Sequence, residues 1–221
     1  MMSDSVIQAI AVYAIPVLYA ITLHEVAHGW AARHFGDHTA ALQGRLSLNP
    51  LKHVDPIGTV VMPLVLYFMT SGAFVFGYAK PVPVNIMGLR NPKRDMLWVA
   101  FAGPGSNLAM ALLWMLFAIA LAALGVREPF VARMAEAGVA VNFVMAALNL
   151  FPLPPLDGGR MLASVLPINQ ANLLLRLEPF GFLVVLVLAA TKLLDYWMGP
   201  ILTVLHVGLR WLMLPLISVL S

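Results

Sequence analysis

The sequence predicts an all-α polytopic membrane protein, and three observations lead to that fold class. Of the 221 residues, 61% are hydrophobic and only 10% are charged, and the mean hydropathy is +0.88. A soluble domain carries about 25% charged residues, so this chain cannot bury its apolar residues inside a water-soluble globule. The apolar residues also fall in runs of about 20 residues, the length that an α-helix needs to cross the hydrocarbon core of a bilayer.

About five of these runs are long enough to be full transmembrane helices. Glycine, proline or polar residues interrupt the apolar pattern between them, which indicates the connections. The five predicted spans are 5–35, 96–124, 130–151, 171–190 and 197–220.

Shorter elements are predicted between the first two long spans. Residues 57–70 are apolar, but a helix of that length reaches only about 21 Å against a hydrocarbon core of roughly 30 Å, so it should be a membrane-inserted, re-entrant helix. Alternating residues at 40–48 predict a small β element. Residues 74–84 are rich in aromatic and branched side chains with two prolines, and should form an extended segment with an unpaired edge.

The first span contains an unusual polar motif. His24, Glu25 and His28 form the pattern H-E-x-x-H, which on a helix places both imidazoles on one face, where they can bind one Zn²⁺, with the glutamate beside them to take a proton from water. The alternative is a buried, hydrogen-bonded cluster without a metal. Ionisable groups inside an apolar helix are costly without a partner, which favours the metal site. Because the chain has no cysteine, any other strong ligand must be His, Asp or Glu.

A second polar motif follows the span at 130–151. The run P-L-P-P-L-D-G-G-R contains three prolines and two glycines, so the helix must break around Asp157. Irregular backbone near lipid is tolerated only where protein buries it or where it lines a wet cavity. This favours Asp157 as a third metal ligand over an ordinary loop aspartate.

Four other polar residues have structural interpretations, and for Asn107 a functional alternative stays open. Asn107 either packs through a hydrogen bond between helices or acts in function. His53 is interpreted as a turn residue beside an Asp-Pro pair. His206 and Arg210, four residues apart on one face, are expected to pack together or to extend towards the membrane surface.

Taken together, the motifs resemble those of the site-2 proteases, the intramembrane zinc metalloproteases of peptidase family M50. The resemblance rests on the H-E-x-x-H motif at His24, on Gly103-Pro104-x-x-Asn107, and on the run from Asn149 through Asp157, which occur in the family's order and spacing. It covers nearly the whole chain up to residue 160. Many relatives carry a PDZ domain, and the short connection at 125–129 leaves no room for one, so the compact form is expected.

The resemblance implies one Zn²⁺ per chain, with His24, His28 and Asp157 as its ligands. It further implies Glu25 as the general base and Asn107 and Asn149 as groups on the substrate side. A single membrane protease domain over 1–221 follows, with a catalytic core at 5–166 and additional helices at 168–221. The expected function is cleavage of single-span membrane proteins within or near their transmembrane segments, and the segment at 74–84 could hold the substrate by strand addition.

Other functions were weighed against this one. Intramembrane His, Asp and Glu also build transporters and proton relays, but such folds usually contain inverted repeats, and none is visible here. A membrane zinc peptidase with a downstream glutamate ligand is another class, but Glu136 stands at the wrong end of its helix. A catalytically inactive relative would not be expected to retain Glu25. No basic run is interleaved with aromatic residues, so nucleic acid is not an expected partner; the lipid bilayer is.

Charge distribution predicts the orientation in the cell membrane. Most lysines and arginines fall in connections on the side where the first span ends, and Arg127, Arg133 and Lys192 fall on the other. Cytoplasmic loops carry the excess of positive charge, so the predicted active site lies nearer the cytoplasmic side and the N-terminus lies outside.

Overall fold

The computed structural model describes residues 2–69, 77 and 79–220, and every element in these ranges is helical or irregular. The long helices are α1 (Met2–His34), α4 (Pro92–Ala123), α5 (Pro129–Asn149) and α9 (Asp195–Leu220). The shorter α-helices are α2 (Thr39–Leu42), α3 (Met62–Met69), α6 (Asp157–Val165), α7 (Ile168–Leu175) and α8 (Glu178–Ala190). Two 3₁₀ turns cover Pro50–Lys52 and Ile86–Gly88, and a π-helical turn covers Pro56–Val61.

Among the described residues, four helices are long and apolar enough to cross a membrane, and a fifth span arises if α7 and α8 are counted together. These two helices are bent by 64° at a short break, where the sequence suggested one continuous span. The break lies just before Pro179, which fixes its own φ and has no amide hydrogen to continue the preceding helix. The polytopic helical class is thus confirmed, and it fits a multi-pass membrane protein.

The predicted β element at 40–48 is wrong, because no strand occurs among the described residues. Residues Thr39–Leu42 form a helical turn instead, and Gly44 ends it with φ +64°. The amide of Arg45 donates to the carbonyl of Ala40 at 2.9 Å, which closes a helix C-cap around that glycine. Left-handed backbone at Gly44 is incompatible with a strand, so the alternating residues describe a capped turn.

The extended segment predicted at 74–84 lies partly outside the described residues. Its described residues, 77 and 79–84, are irregular, and the amide of Lys80 donates to the carbonyl of His53 at 2.9 Å. Arg45 donates to the carbonyls of Lys80 (2.7 Å) and Pro81 (3.3 Å), which fastens this stretch to the turn after α2.

The chain returns to the end of α1 after the short apolar helix. The amide of Arg90 donates to the carbonyl of Phe35 at 2.9 Å, and the amide of Asn85 donates to Asp37 Oδ2 at 2.7 Å. Residues 35–37 and 85–90 are therefore neighbours, as expected if the element between them enters the membrane and comes back on the same side.

Helices α1, α4 and α5 form the centre of the molecule, α6 packs on α4, and α9 packs on α5. Helix α5 approaches α4 closely at Gly138, where a β-carbon would collide with the indole of Trp114. His206 of α9 packs edge-on against Phe143 with ring centroids 4.9 Å apart, while Arg210 is exposed. This packing brings residues from α1, α4, α5 and α6 to one buried place.

Candidate metal centre

Two histidines of α1 form the first half of the site. His24 and His28 are both buried, and their Nε2 atoms lie 3.1 Å apart. Their rings are nearly perpendicular, with centroids 4.7 Å apart. The spacing of four residues brings both imidazoles to one face of the helix, as the motif predicted.

Asp157 completes the cluster from the first turn of α6. Its Oδ2 lies 3.1 Å from His24 Nε2, and its Oδ1 lies 3.3 Å from His28 Nε2. Among the described residues, these three form the one group of three His, Asp or Glu side chains whose geometry could hold a metal ion. The structure therefore brings together the three residues that the sequence predicted as ligands.

The loop before Asp157 is held tightly against neighbouring backbone. A β-carbon at Gly158 would collide with the carbonyl of Leu150, and one at Gly159 would collide with the backbone between Leu153 and Pro154. A β-carbon at Gly181 of α8 would likewise collide with the carbonyl of Pro154. The two glycines that follow Asp157 are thus required for the compact turn that presents its carboxylate.

Hydrogen bonds fix the orientation of both imidazoles. His28 Nδ1 lies 2.7 Å from the carbonyl oxygen of Val99, and His24 Nδ1 lies 2.7 Å from Asn107 Oδ1. A carbonyl oxygen only accepts, so each Nδ1 carries a hydrogen, and in the neutral imidazole each Nε2 then presents a lone pair to the cluster. Metal-binding histidines characteristically donate their second N–H in this way.

The donor set fits a small cation such as Zn²⁺. Two Nε2 lone pairs and a carboxylate would repel one another at these distances, and buried Asp157 Oδ2 has no hydrogen-bond partner within the described part of the chain. A tetrahedral ion with arms of about 2.0–2.1 Å separates its ligand atoms by about 3.3 Å, close to the three distances here. The cluster is therefore composed and spaced as a three-ligand metal site.

Glu25 lies next to His24 and is half-buried. Its Oε2 accepts a hydrogen bond from the amide of Val82 at 2.8 Å, so residues 79–84 pass directly beside it. Gly29 allows this approach, because a β-carbon there would lie 2.9 Å from Val82 Cγ1. No sequence pattern identified Val82, since a backbone donor can be any residue other than proline.

The two predicted substrate-side asparagines occupy different environments. Asn107 has no exposed surface and contacts His24, Ala20 and Asn142. Asn149 is half-buried at the end of α5, and its Nδ2 donates to the carbonyl of Met145 at 3.0 Å. Their roles towards a substrate stay predictions.

The other histidines noted in the sequence do not belong to the cluster. His53 is buried, and its Nε2 lies 2.8 Å from the carbonyl of Ser47. Asp55 caps the following helical turn by accepting from the amides of Ile57 and Gly58. These contacts agree with the turn role predicted for this stretch.

Comparison with known proteins shows which proteins the chain is similar to. No family model matches it, and no solved structure matches it. It is 37% identical over 193 residues to "Putative zinc metalloprotease YwhC" of Bacillus subtilis, covering 85% of this chain and 84% of that protein. It is 32% identical over 187 residues to "Putative zinc metalloprotease Rip2" of Mycolicibacterium smegmatis, covering 81% and 67%.

A buried cluster of three potential metal ligands, two of them on an apolar helix long enough to cross a membrane, indicates a metalloenzyme as the class of protein. The chain belongs to the family of zinc metalloproteases that these relatives represent, and hence to the hydrolases. Neither the metal-binding cluster nor the similarity to zinc metalloproteases favours a transporter.

Proposed function

We propose that this protein is an intramembrane zinc metalloendopeptidase of the site-2 protease class. Its substrates would be single-span membrane proteins, cut within or near their transmembrane segments. The observation that carries the proposal is the position of the cluster: His24 and His28 lie about 9 to 15 Å from the C-terminal end of α1, inside a helix long and apolar enough to span a membrane.

In this proposal His24, His28 and Asp157 hold one zinc ion. A zinc ion held by three protein ligands acts as a Lewis acid that lowers the pKa of water and polarises a peptide carbonyl. The hydrogen bonds to Val99 and Asn107 keep both imidazoles in the orientation that binding requires. The family relationship and the donor set both support zinc as the metal.

Glu25 is the proposed general base. Its carboxylate takes a proton from the attacking water and transfers it to the amine of the leaving peptide. The amide of Val82 donates to one carboxylate oxygen, Oε2, and so holds the side chain in place while the other oxygen remains for the water. Arg45 supports this arrangement because it binds the two carbonyls just before Val82.

The substrate must present an extended peptide to reach such a site. A peptide bond within a helix is shielded by the surrounding turns, so the substrate helix has to unwind locally before hydrolysis. The irregular stretch at 79–84 lies beside Glu25, and an extended peptide could pair with those of its backbone groups that Glu25, His53 and Arg45 do not already bind. Asn149, near the Asp157 loop, is proposed to orient that loop or the substrate.

We further propose that the whole chain is one membrane domain, with the core at 5–166 and the helices from 168 onwards packed on it. Gly181 of α8 contacts Pro154, and the indole of Trp197 donates to the carbonyl of Ala147 at 3.0 Å. Both contacts hold in place the segment that precedes Asp157 in the chain. The cell membrane, with the site nearer the cytoplasmic face, is the proposed location.

The function is tested by metal analysis and cleavage assays on the purified protein in detergent or lipid. The assay uses a panel of single-span substrates, with the wild type, Glu25→Gln and the matched control Glu136→Gln. Glu136 is an exposed glutamate of α5 that lines a cavity between α1 and α5, away from the cluster.

We expect one zinc per chain in all three proteins and cleavage by the wild type and the control alone. Glu25→Gln keeps the side-chain shape and removes only the base, so zinc should stay bound. Cleavage by Glu25→Gln would contradict the assignment of Glu25 as the general base. A wild type without zinc would overturn the proposed function.

A further inference from the structure

A chain of buried amides runs from the metal cluster into α5. Asn107 of α4 and Asn142 of α5 both have no exposed surface. Asn107 Nδ2 donates to Asn142 Oδ1 at 2.9 Å, and Asn142 Nδ2 donates to the carbonyl of Gly138 at 2.8 Å. The chain therefore connects His24, through two side chains, to a backbone carbonyl of another helix.

The carbonyl of Gly138 sets the direction of every hydrogen bond in this chain. A carbonyl oxygen can only accept, so Asn142 must turn its NH₂ group towards Gly138 and its oxygen towards Asn107. Asn107 must then turn its own NH₂ group towards Asn142 and its oxygen towards His24. The reverse orientation of either amide would place two acceptors or two donors face to face in a buried site.

The carbonyl of Ala20 reinforces the same orientation of Asn107. It accepts from Asn107 Nδ2 at 3.2 Å, a longer contact than the 2.9 Å bond to Asn142. With its oxygen fixed towards His24, Asn107 requires a hydrogen on His24 Nδ1 and leaves the lone pair on Nε2. That lone pair points to the place where Asp157 and His28 converge.

His28 reaches the same state without any side chain. Its Nδ1 donates directly to the backbone carbonyl of Val99 at 2.7 Å, a partner that substitution cannot remove. The two imidazoles thus differ in the partner of Nδ1, which is a backbone carbonyl for His28 and a side chain of another helix for His24.

We propose that Asn142 is a positioning residue of the metal centre: acting through Asn107, it fixes the tautomer and orientation in which His24 binds the metal. The inference rests on the proposed zinc site but concerns metal affinity rather than catalysis. It also assigns Asn107 a role towards His24, distinct from contact with substrate.

The close packing of α4 on α5 makes this connection rigid. Gly138 lies directly against Trp114, one turn before Asn142, so the two helices cannot separate there without losing that contact. Neither amide has exposed surface, so water from outside cannot replace a hydrogen bond that is lost there. A change at Asn142 should therefore be transmitted to Asn107.

The test measures zinc affinity by competition with a chelator, together with thermal unfolding of each variant. Asn142→Leu removes both hydrogen bonds while keeping a branched side chain with the same number of heavy atoms, and Asn107→Leu removes the direct partner of His24. Asn142→Asp is the conservative variant: its hydrogen-bond partners are amide and carbonyl groups and no cation, so burial favours the protonated carboxyl, which can still donate to Gly138 and accept from Asn107. The control is Thr22→Val, which removes a buried hydrogen bond to Leu18 on the same helix as His24.

We expect Asn107→Leu to weaken zinc binding by about 10- to 100-fold, the usual effect of removing the hydrogen-bond partner of a metal-binding histidine. Asn142→Leu should weaken it by about tenfold, since Ala20 still holds Asn107 in part. Asn142→Asp and Thr22→Val should bind zinc as the wild type does. If Asn142→Leu does not fold, Asn142→Ser answers the same question, because its hydroxyl can reach Gly138 but not Asn107.

Wild-type zinc affinity in folded Asn142→Leu or Asn142→Ser would overturn the inference and leave Asn142 as a packing residue. Equal losses of affinity in Thr22→Val would also overturn it, because they would trace to general destabilisation. These outcomes are separate from a failure of the proposed function, which would appear as a wild type that binds no zinc.

Discussion

Gly103 lies directly against the imidazole of His28, and a β-carbon at this position would collide with Nε2, the atom that faces the cluster. The same β-carbon would lie 2.6 Å from Cε1 of His24. Helix α4 therefore approaches α1 closely enough for Val99 and Asn107 to reach the two rings, and only glycine permits that distance.

Gly103→Ala should therefore cause loss of zinc while the helices remain folded. The added methyl group must push α4 away or displace the rings, and either movement separates the ligand atoms. The matched control is Gly105→Ala. The atom nearest to a β-carbon there is Cε1 of Phe101, at 3.3 Å, which belongs to a side chain of the same helix. Metal analysis after gel filtration measures the effect; full zinc occupancy in Gly103→Ala would contradict the close approach.

Asp157→Ala should lower zinc occupancy strongly, because two imidazoles alone hold zinc far less well than three ligands. The control is Asp195→Ala, which removes an exposed carboxylate at the start of α9. Zinc content and chelator competition distinguish the two variants. A fully loaded Asp157→Ala protein would require a different third ligand.

Asp37 should make the stability of the fold depend on pH in the acid range. The carboxylate is buried, which alone would raise its pKa, but hydrogen bonds from the hydroxyl and amide of Thr39 and from the amide of Asn85, with nearby His38, hold its pKa below the usual value. A lowered folded-state pKa means stability that is present above the unfolded-state pKa, about 3.9, and lost as the pH falls through the folded-state value.

Asp37→Asn should accordingly be less stable than the wild type at neutral pH, and the difference should shrink as the pH falls below about 4. Denaturation in mixed micelles across this range measures it. The same difference at every pH would show that the contribution of Asp37 does not depend on its charge.

The membrane orientation can be tested with single cysteines, since the chain has none of its own. Cysteines at Lys93, Arg127 and Lys192 would be probed from each side of the membrane with an impermeant thiol reagent. Because residues 35–37 and 85–90 are neighbours, we expect Lys93 to lie on the same side as the end of α1 and to react only from the cytoplasm. Arg127 and Lys192 should react only from outside.

Rapid reaction of Lys93→Cys from outside would contradict this topology. It would mean that the short apolar helix crosses the membrane completely. The contact between Asp157 and the two histidines would then require a different path of the chain.

The sequence was sufficient for the features that depend on composition and short motifs. Apolar runs predicted the long helices, and the motif spacing predicted that His24 and His28 share a face. The cost of irregular backbone near lipid singled out Asp157. Each of these inferences rests on a property of a single segment.

Other features depend on contacts between segments and could not be read from the pattern. The turn at Gly44 has the same alternation of residues as a strand, and only its positive φ distinguishes the two. For Asn107, the sequence left open a packing role and a functional one, because its partners lie 83 and 35 positions away. In the sequence, Asn142 is one polar residue within a span. Its connection to Asn107 becomes visible only when α4 is packed beside α5.

The order of the ligands along the chain has a consequence for biosynthesis. Asp157 leaves the ribosome about 130 residues after His28, which at about 5–20 residues per second is a delay of roughly 6 to 26 s. During that time α1 and α4 can bring the histidines and Asn107 together, but the carboxylate is missing. We expect a chain that ends at Leu156 to bind zinc no better than Asp157→Ala does, as chelator competition would measure. An unfinished chain in the membrane would therefore not yet be a protease.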